Sequence, residues 1–129
     1  MTLDELRALA NKGQRSKHRQ MEAHIQTACV NWYRLSYPKC LIFAVPNGGS
    51  RNKIEAANLK REGALAGVAD LILLAEGKVL FVEMKTMKGR QTEKQKLFQR
   101  NVERLGFQYV VCRSFDEFRS EVTKWLIRK

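Results

Sequence analysis

Apolar positions along this chain follow two periods, and the switches between them mark its elements. Over residues 18–36, Met21, Ile25, Ala28, Cys29, Trp32 and Leu35 recur at helical spacing, and Pro38 closes that element. Residues 41–45 form an unbroken apolar run before the turn cluster Pro46-Asn47-Gly48-Gly49-Ser50, which predicts a buried strand and then a loop. Residues 53–62 suit a short helix ended by Gly63. Segments 69–75 and 79–85 flank Glu76-Gly77-Lys78 and predict a hairpin. Thr92-Glu93-Lys94-Gln95 has capping-box form and opens a helix whose stripe is Leu97, Phe98, Val102 and Leu105, ended by Gly106. Residues 107–112 read as another strand. Ser114-Phe115-Asp116-Glu117 repeats the capping form ahead of a last helix with Phe118, Val122, Trp125 and Leu126 inside.

Residues 1–17 read as a basic N-terminal segment, with a short helix over 2–10 broken near Gly13, and residues 18–129 as a single domain. A hairpin followed by a helical crossover predicts an α/β fold, a mixed β-sheet flanked by helices on both faces.

Charge changes the picture more than composition does. With 24 Lys and Arg against 13 Asp and Glu, the formal net charge is +11. A small, strongly basic domain points to a polyanionic partner, of which nucleic acid is the commonest. No apolar run approaches the roughly 20 residues that span a bilayer, and the first residues lack the apolar core of a signal peptide, so the expected location is the cytoplasm with no membrane contact. Cys29, Cys40 and Cys112 follow no metal-binding spacing and are expected to be reduced and structural.

The chemistry concentrates in the hairpin. Asp70 sits at the start of its first strand, and Glu83 and Lys85 lie two apart near the end of the second. Side chains alternate along a strand, so Glu83 and Lys85 share one face while Val82 and Met84 share the other. Two carboxylates and an amine at one end of a buried hairpin are costly unless they bind something, and a divalent cation fits best. Asp70 and Glu83 supply oxygen ligands for Mg²⁺ or Mn²⁺, with the Met84 carbonyl between them as a further donor. Lys85 is placed to hold or help deprotonate an attacking water. By itself Glu-x-Lys is a frequent pattern that a surface ion pair also produces; the paired aspartate and the basic charge give it meaning. Lys88, Arg90, Lys94, Lys96 and Arg100 follow as a basic loop and helix face, candidates for contacts to a nucleic-acid backbone.

These residues carry a resemblance. Gly67-Val68-Ala69-Asp70, then Phe81-Val82-Glu83-Met84-Lys85-Thr86, then Gly89, Thr92, Gln95 and Phe98, resemble a VRR-NUC domain, the virus-type replication-repair branch of the PD-(D/E)XK nucleases, over residues 19–121. One departure is Ala69, where that family commonly has proline; this alters how the strand begins rather than the metal chemistry. The resemblance implies a restriction-endonuclease-like core, a Mg²⁺- or Mn²⁺-dependent endonuclease, and DNA as substrate. Glu22 and Gln26 lie one helical turn apart, a solvent-facing pair by spacing alone; the resemblance gives Glu22 a place among the metal ligands and leaves Gln26 a neighbour. Gln95 matches a glutamine that supports the active site or contacts phosphate, alongside its capping role. Asn47, Gly48, Gly49 and Arg51 resemble a phosphate-approaching loop, or form a plain turn. Stand-alone members resemble Holliday-junction resolvases acting as homodimers. The alternatives are a flap or nicked-duplex nuclease, or a non-catalytic DNA-binding module.

Overall fold

The alternation expected of the hairpin organises the whole molecule. A computed structural model describes residues 2–46 and 52–128. Strand β1 (Leu41–Ala44) follows helix α1 (Leu3–Ser36), and a short helix α2 (Lys53–Arg61) leads to the hairpin β2 (Leu71–Ala75) and β3 (Lys78–Met84). Helix α3 (Glu93–Arg104), strand β4 (Gln108–Cys112) and helix α4 (Phe115–Ile127) complete it. The sheet order is β1-β2-β3-β4. The first two pairings are antiparallel, and β3 runs parallel to β4 with α3 as the crossover. The pairing Ala75↔Lys78 leaves Glu76-Gly77 as a two-residue turn. Gly77 takes a positive φ of 69° there while Glu76 does not, and glycine enters that left-handed region without steric penalty.

One sheet face buries Leu71, Leu73, Leu80, Val82, Met84 and Cys112 against Cys29 and Tyr33 of α1 and Phe118, Val122 and Trp125 of α4. Each such aliphatic side chain contributes ~1.5–3 kcal/mol through its removal from water. The opposite face packs Ala69 and Tyr109, with Phe81 and Val111, against Val102 and Phe98 of α3. Because Leu80, Val82 and Met84 face α1 and α4, Phe81 and Glu83 face α3. The mixed sheet with helices on both faces is the architecture the sequence predicts. All three cysteines are free thiols, and burial pushes Cys29 and Cys112 well above the usual thiol range, which leaves them inert.

Several local expectations need correction. No break occurs at Gly13: α1 is one helix of 34 residues, begun by a reciprocal Thr2–Glu5 capping box. An interior glycine costs a helix only ~1 kcal/mol relative to alanine, and no proline lies between the two expected helices. Strand β1 is not buried on both faces. It is an edge strand in which Ile42 alone is buried, while Leu41 and Phe43 remain exposed; an apolar run does not distinguish an edge from a centre. Met21, Leu35, Leu97 and Leu105, expected on apolar stripes, are also exposed. Tyr33, absent from that stripe, is fully buried and donates its hydroxyl to the Leu74 carbonyl at 3.2 Å. At α4 the Ser114 hydroxyl accepts from the Glu117 amide, which is the serine's half of the expected box.

Candidate active site

Asp70 is fixed at the mouth of β2 by two bonds to neighbouring segments. Its carbonyl accepts from the Val45 amide at 2.9 Å, which ties it to the end of β1. Its carboxylate Oδ2 accepts from the Met84 amide at 2.8 Å, which aims the side chain across the hairpin toward the end of β3. There Glu83 is 1% exposed, a fully buried acid on the α3 face of the sheet. Its Oε1 accepts from Gln95 Nε2 at 3.3 Å and lies 3.9 Å from Lys85 Nζ. Its Oε2 accepts from the Tyr109 hydroxyl at 3.5 Å. Lys85 continues the sheet beyond β3, its amide donating to the Cys112 carbonyl at 3.0 Å, so it projects on the same side as Glu83.

The electrostatics follow from that crowding. Burial first, then hydrogen bonding to and repulsion by Asp70, hold the Glu83 carboxyl well above the usual carboxylate range; Glu22 pushes in the same direction and Lys85 opposes it. Tyr109 is held above the usual phenol range by burial and by Glu83, so its hydroxyl stays protonated as a donor. A buried acid raised by a second acid is unfavourable by itself, and added positive charge relieves it. The donors available are carboxylate oxygens and a backbone carbonyl, a hard set suited to Mg²⁺ or Mn²⁺. Among the described residues no three His, Cys, Asp or Glu side chains gather closely enough to form a metal cluster. The residues fit such an ion through the Asp70–Glu83 pair, with Glu22 of α1 within electrostatic reach.

The expected residues are thus partly assembled. Asp70, Glu83, Lys85 and Gln95 converge, and the Met84 backbone lies between the two acids. Gln95 bonds in two directions at once: its Oε1 accepts from the Thr92 amide at 2.8 Å while its Nε2 donates to Glu83. Gln26 is half-buried one turn beyond Glu22. Lys88, Arg90 and Lys94 are exposed around the loop and the start of α3. Asn47, Gly48, Gly49 and Arg51 lie outside the described residues.

Several residues around these escaped the sequence argument. Tyr109 holds Glu83 and itself accepts from Gln91 Nε2 at 3.2 Å, which also donates to Gln99 at 2.9 Å. Arg113 Nη1 donates to the Thr86 and Gly89 carbonyls at 2.7 and 2.5 Å, pinning the loop that carries Lys88 and Arg90. Gly67, quoted in the motif but given no role, has a φ of 83°, and a Cβ there would lie 2.4 Å from the Lys94 carbonyl oxygen. That close approach seats the first turn of α3, and with it Gln95, beside the carboxylates. Tyr109 read only as one member of an apolar strand; the register Phe81↔Tyr109 that brings it to Glu83 is a property of the folded sheet.

Comparison with known proteins gives the family and the overall fold. A sequence model of the VRR-NUC domain matches residues 14–116. Among solved structures, a "VRR_NUC domain protein" is similar over 82% of this chain and 88% of that one, with 26% sequence identity and a TM-score of 0.66. No curated protein sequence matches the chain.

Proposed function

The chain belongs to the VRR-NUC domain family and is a nuclease of the PD-(D/E)XK type, and on that footing we propose that it is a metal-dependent, structure-selective DNA endonuclease. The observation that carries the proposal is the pairing of buried Glu83 with half-buried Asp70, with Lys85 beside Glu83. Asp70, Glu83 and the Met84 carbonyl would hold Mg²⁺ or Mn²⁺, and Glu22, not gathered with them in the metal-free protein but within electrostatic reach of Glu83, would complete the ligand set. Such an ion, when bound, supplies charge neutralisation at the phosphate and an acidified water. The chain's own groups do the rest. Lys85 Nζ orients the attacking water and donates to the phosphate oxygen that gains charge. Gln95 and Tyr109 each hold one oxygen of Glu83, which fixes the direction of its lone pairs. Lys88, Arg90 and Lys94 meet backbone phosphates without reading sequence. Asn47, Gly48, Gly49 and Arg51 are proposed to do so from the loop after β1.

The expected substrate is branched DNA, cut as by a Holliday-junction resolvase. A two-fold homodimer would present two identical sites to a pseudosymmetric junction. A labelled panel of four-way junction, flap, nicked duplex, linear duplex and single strand, run with Mg²⁺, Mn²⁺ or EDTA, tests this. Paired symmetric cuts in the junction, absent in EDTA and with Asp70→Ala, are the predicted result. Flap or nick cleavage with intact junctions would select the flap nuclease. Tight binding without cutting under any metal would select the non-catalytic DNA-binding module.

A further inference from the structure

Beside the carboxylate pair the surface carries a groove of about 500 Å³, bounded by α2, residues 64–66 and α3. Its walls are mainly apolar, formed by Leu59, Leu65, Leu97 and Phe98, with Asn101 among them. Leu65 and Leu97 remain 62% and 51% exposed. Phe98 is a rigid wall, its ring set edge-on against Phe81 and Tyr109. Lys60 and Lys94 stand at the margin, both exposed. The chain itself joins this groove to the site. Pro46 on its rim follows Val45, whose amide bonds the Asp70 carbonyl. Ala66 precedes Gly67, and Lys94 precedes Gln95, which donates to Glu83.

We propose that this groove receives the base of an unpaired nucleotide next to the phosphate to be cut, with Lys60 and Lys94 meeting the phosphates on either side. A nucleotide joins an apolar ring to an anion, and the groove joins leucines and a phenyl ring to two ammonium groups, so the match holds in both parts. A second copy of the chain fits less well. In a two-fold interface at this groove it would bring its own Lys60 and Lys94 toward the first pair, so a homodimer has reason to form elsewhere. An apolar peptide would leave both lysines without a counter-charge. The inference rests on the nuclease reading and narrows its substrate to DNA with a discontinuity or branch that frees a base at the cut.

The test uses the full chain in EDTA, so that nothing is cut, and two duplexes of equal length containing 2-aminopurine. In one the fluorescent base is a single unpaired nucleotide; in the other it is paired. The expected result is about tenfold tighter binding of the first, with a fluorescence change only there, as base stacking on a protein surface supplies. Leu97→Ser and Leu65→Ser alter exposed side chains, and circular dichroism and melting verify their folds. In each, the ratio of the two affinities should fall to within about twofold of one. A wild-type ratio near one overturns the proposal, as does a ratio that both variants leave unchanged. A dimer by light scattering that both variants dissociate also overturns it, since a second copy then fills the groove. Metal-dependent cleavage without the base preference removes the groove and keeps the nuclease. The preference without cleavage in any metal does the reverse.

Discussion

Glu83 is fully buried beside Asp70, and in the metal-free protein both burial and repulsion favour its protonated form. A sign follows for stability. Well below the ordinary glutamate value of 4.5 the carboxyl is protonated in folded and unfolded chains alike, and its full contribution is present. As the pH rises, the unfolded chain loses this proton first, so metal-free stability declines through neutrality until the folded carboxyl also titrates. Melting in EDTA should therefore show a Tm that falls as pH rises from about 5 to 8. Glu83→Gln keeps the shape and an acceptor oxygen but removes the repulsion; it should flatten that fall and raise the Tm at pH 8. An unchanged slope in the variant would assign the pH dependence to other groups. Tyr109→Phe separates support from ligation. It leaves both acids in place but removes the bond to Oε2 and orphans Gln91 Nε2 from one partner. The expected cost is ~1 kcal/mol in stability. Mn²⁺ affinity, measured by titration calorimetry, should weaken about tenfold, as losses around metal ligands do. Affinity equal to wild type would remove Tyr109 from the site.

Secondary-structure elements deliver these side chains through a few backbone contacts. The start of α3 is set by the reciprocal Thr92–Gln95 box and by Gly67 lying against the Lys94 carbonyl. Gly67→Ala meets both a positive φ and a Cβ contact of 2.4 Å, so it should cost more than ~3 kcal/mol and displace Gln95 from Glu83. Gly77→Ala has a positive φ but open space, and should cost only ~1–2 kcal/mol with cleavage intact. Denaturant unfolding of the pair checks this; equal costs would mean that α3 simply yields at Gly67. These examples also mark how far the sequence could be read. The hairpin, the capping box and the crossover were legible because alternation, turn chemistry and capping are local. The Asp70–Glu83–Lys85 grouping was legible too, since strand period and one turn suffice to bring it together. Tyr109, Arg113 and the role of Gly67 were not, because each acts across a register or a helix–loop approach that no local pattern encodes. Neither was the continuity of α1, where a glycine's modest cost was overestimated as a break, nor the exposure of β1, where an apolar run concealed an edge.

At the level of the whole molecule, a net charge of +11 surrounds a site built from acids. On the proposed reading the two parts have separate tasks: distributed lysines and arginines attract the DNA backbone, and a bound cation relieves the crowding of Glu83 and Asp70. Binding and cutting should then separate cleanly when the acids alone are changed. The decisive experiment is single-turnover cleavage of one labelled branched DNA by wild type and by Glu83→Gln, in Mn²⁺ and in EDTA, with DNA affinity measured on the same samples. The prediction is metal-dependent cutting by wild type, a loss of about a thousandfold or more in Glu83→Gln, and DNA affinities within about threefold of each other. Cutting by wild type that persists in EDTA, or a Glu83→Gln protein that cuts as fast as wild type, would contradict the assignment of this carboxylate pair as the hydrolytic centre.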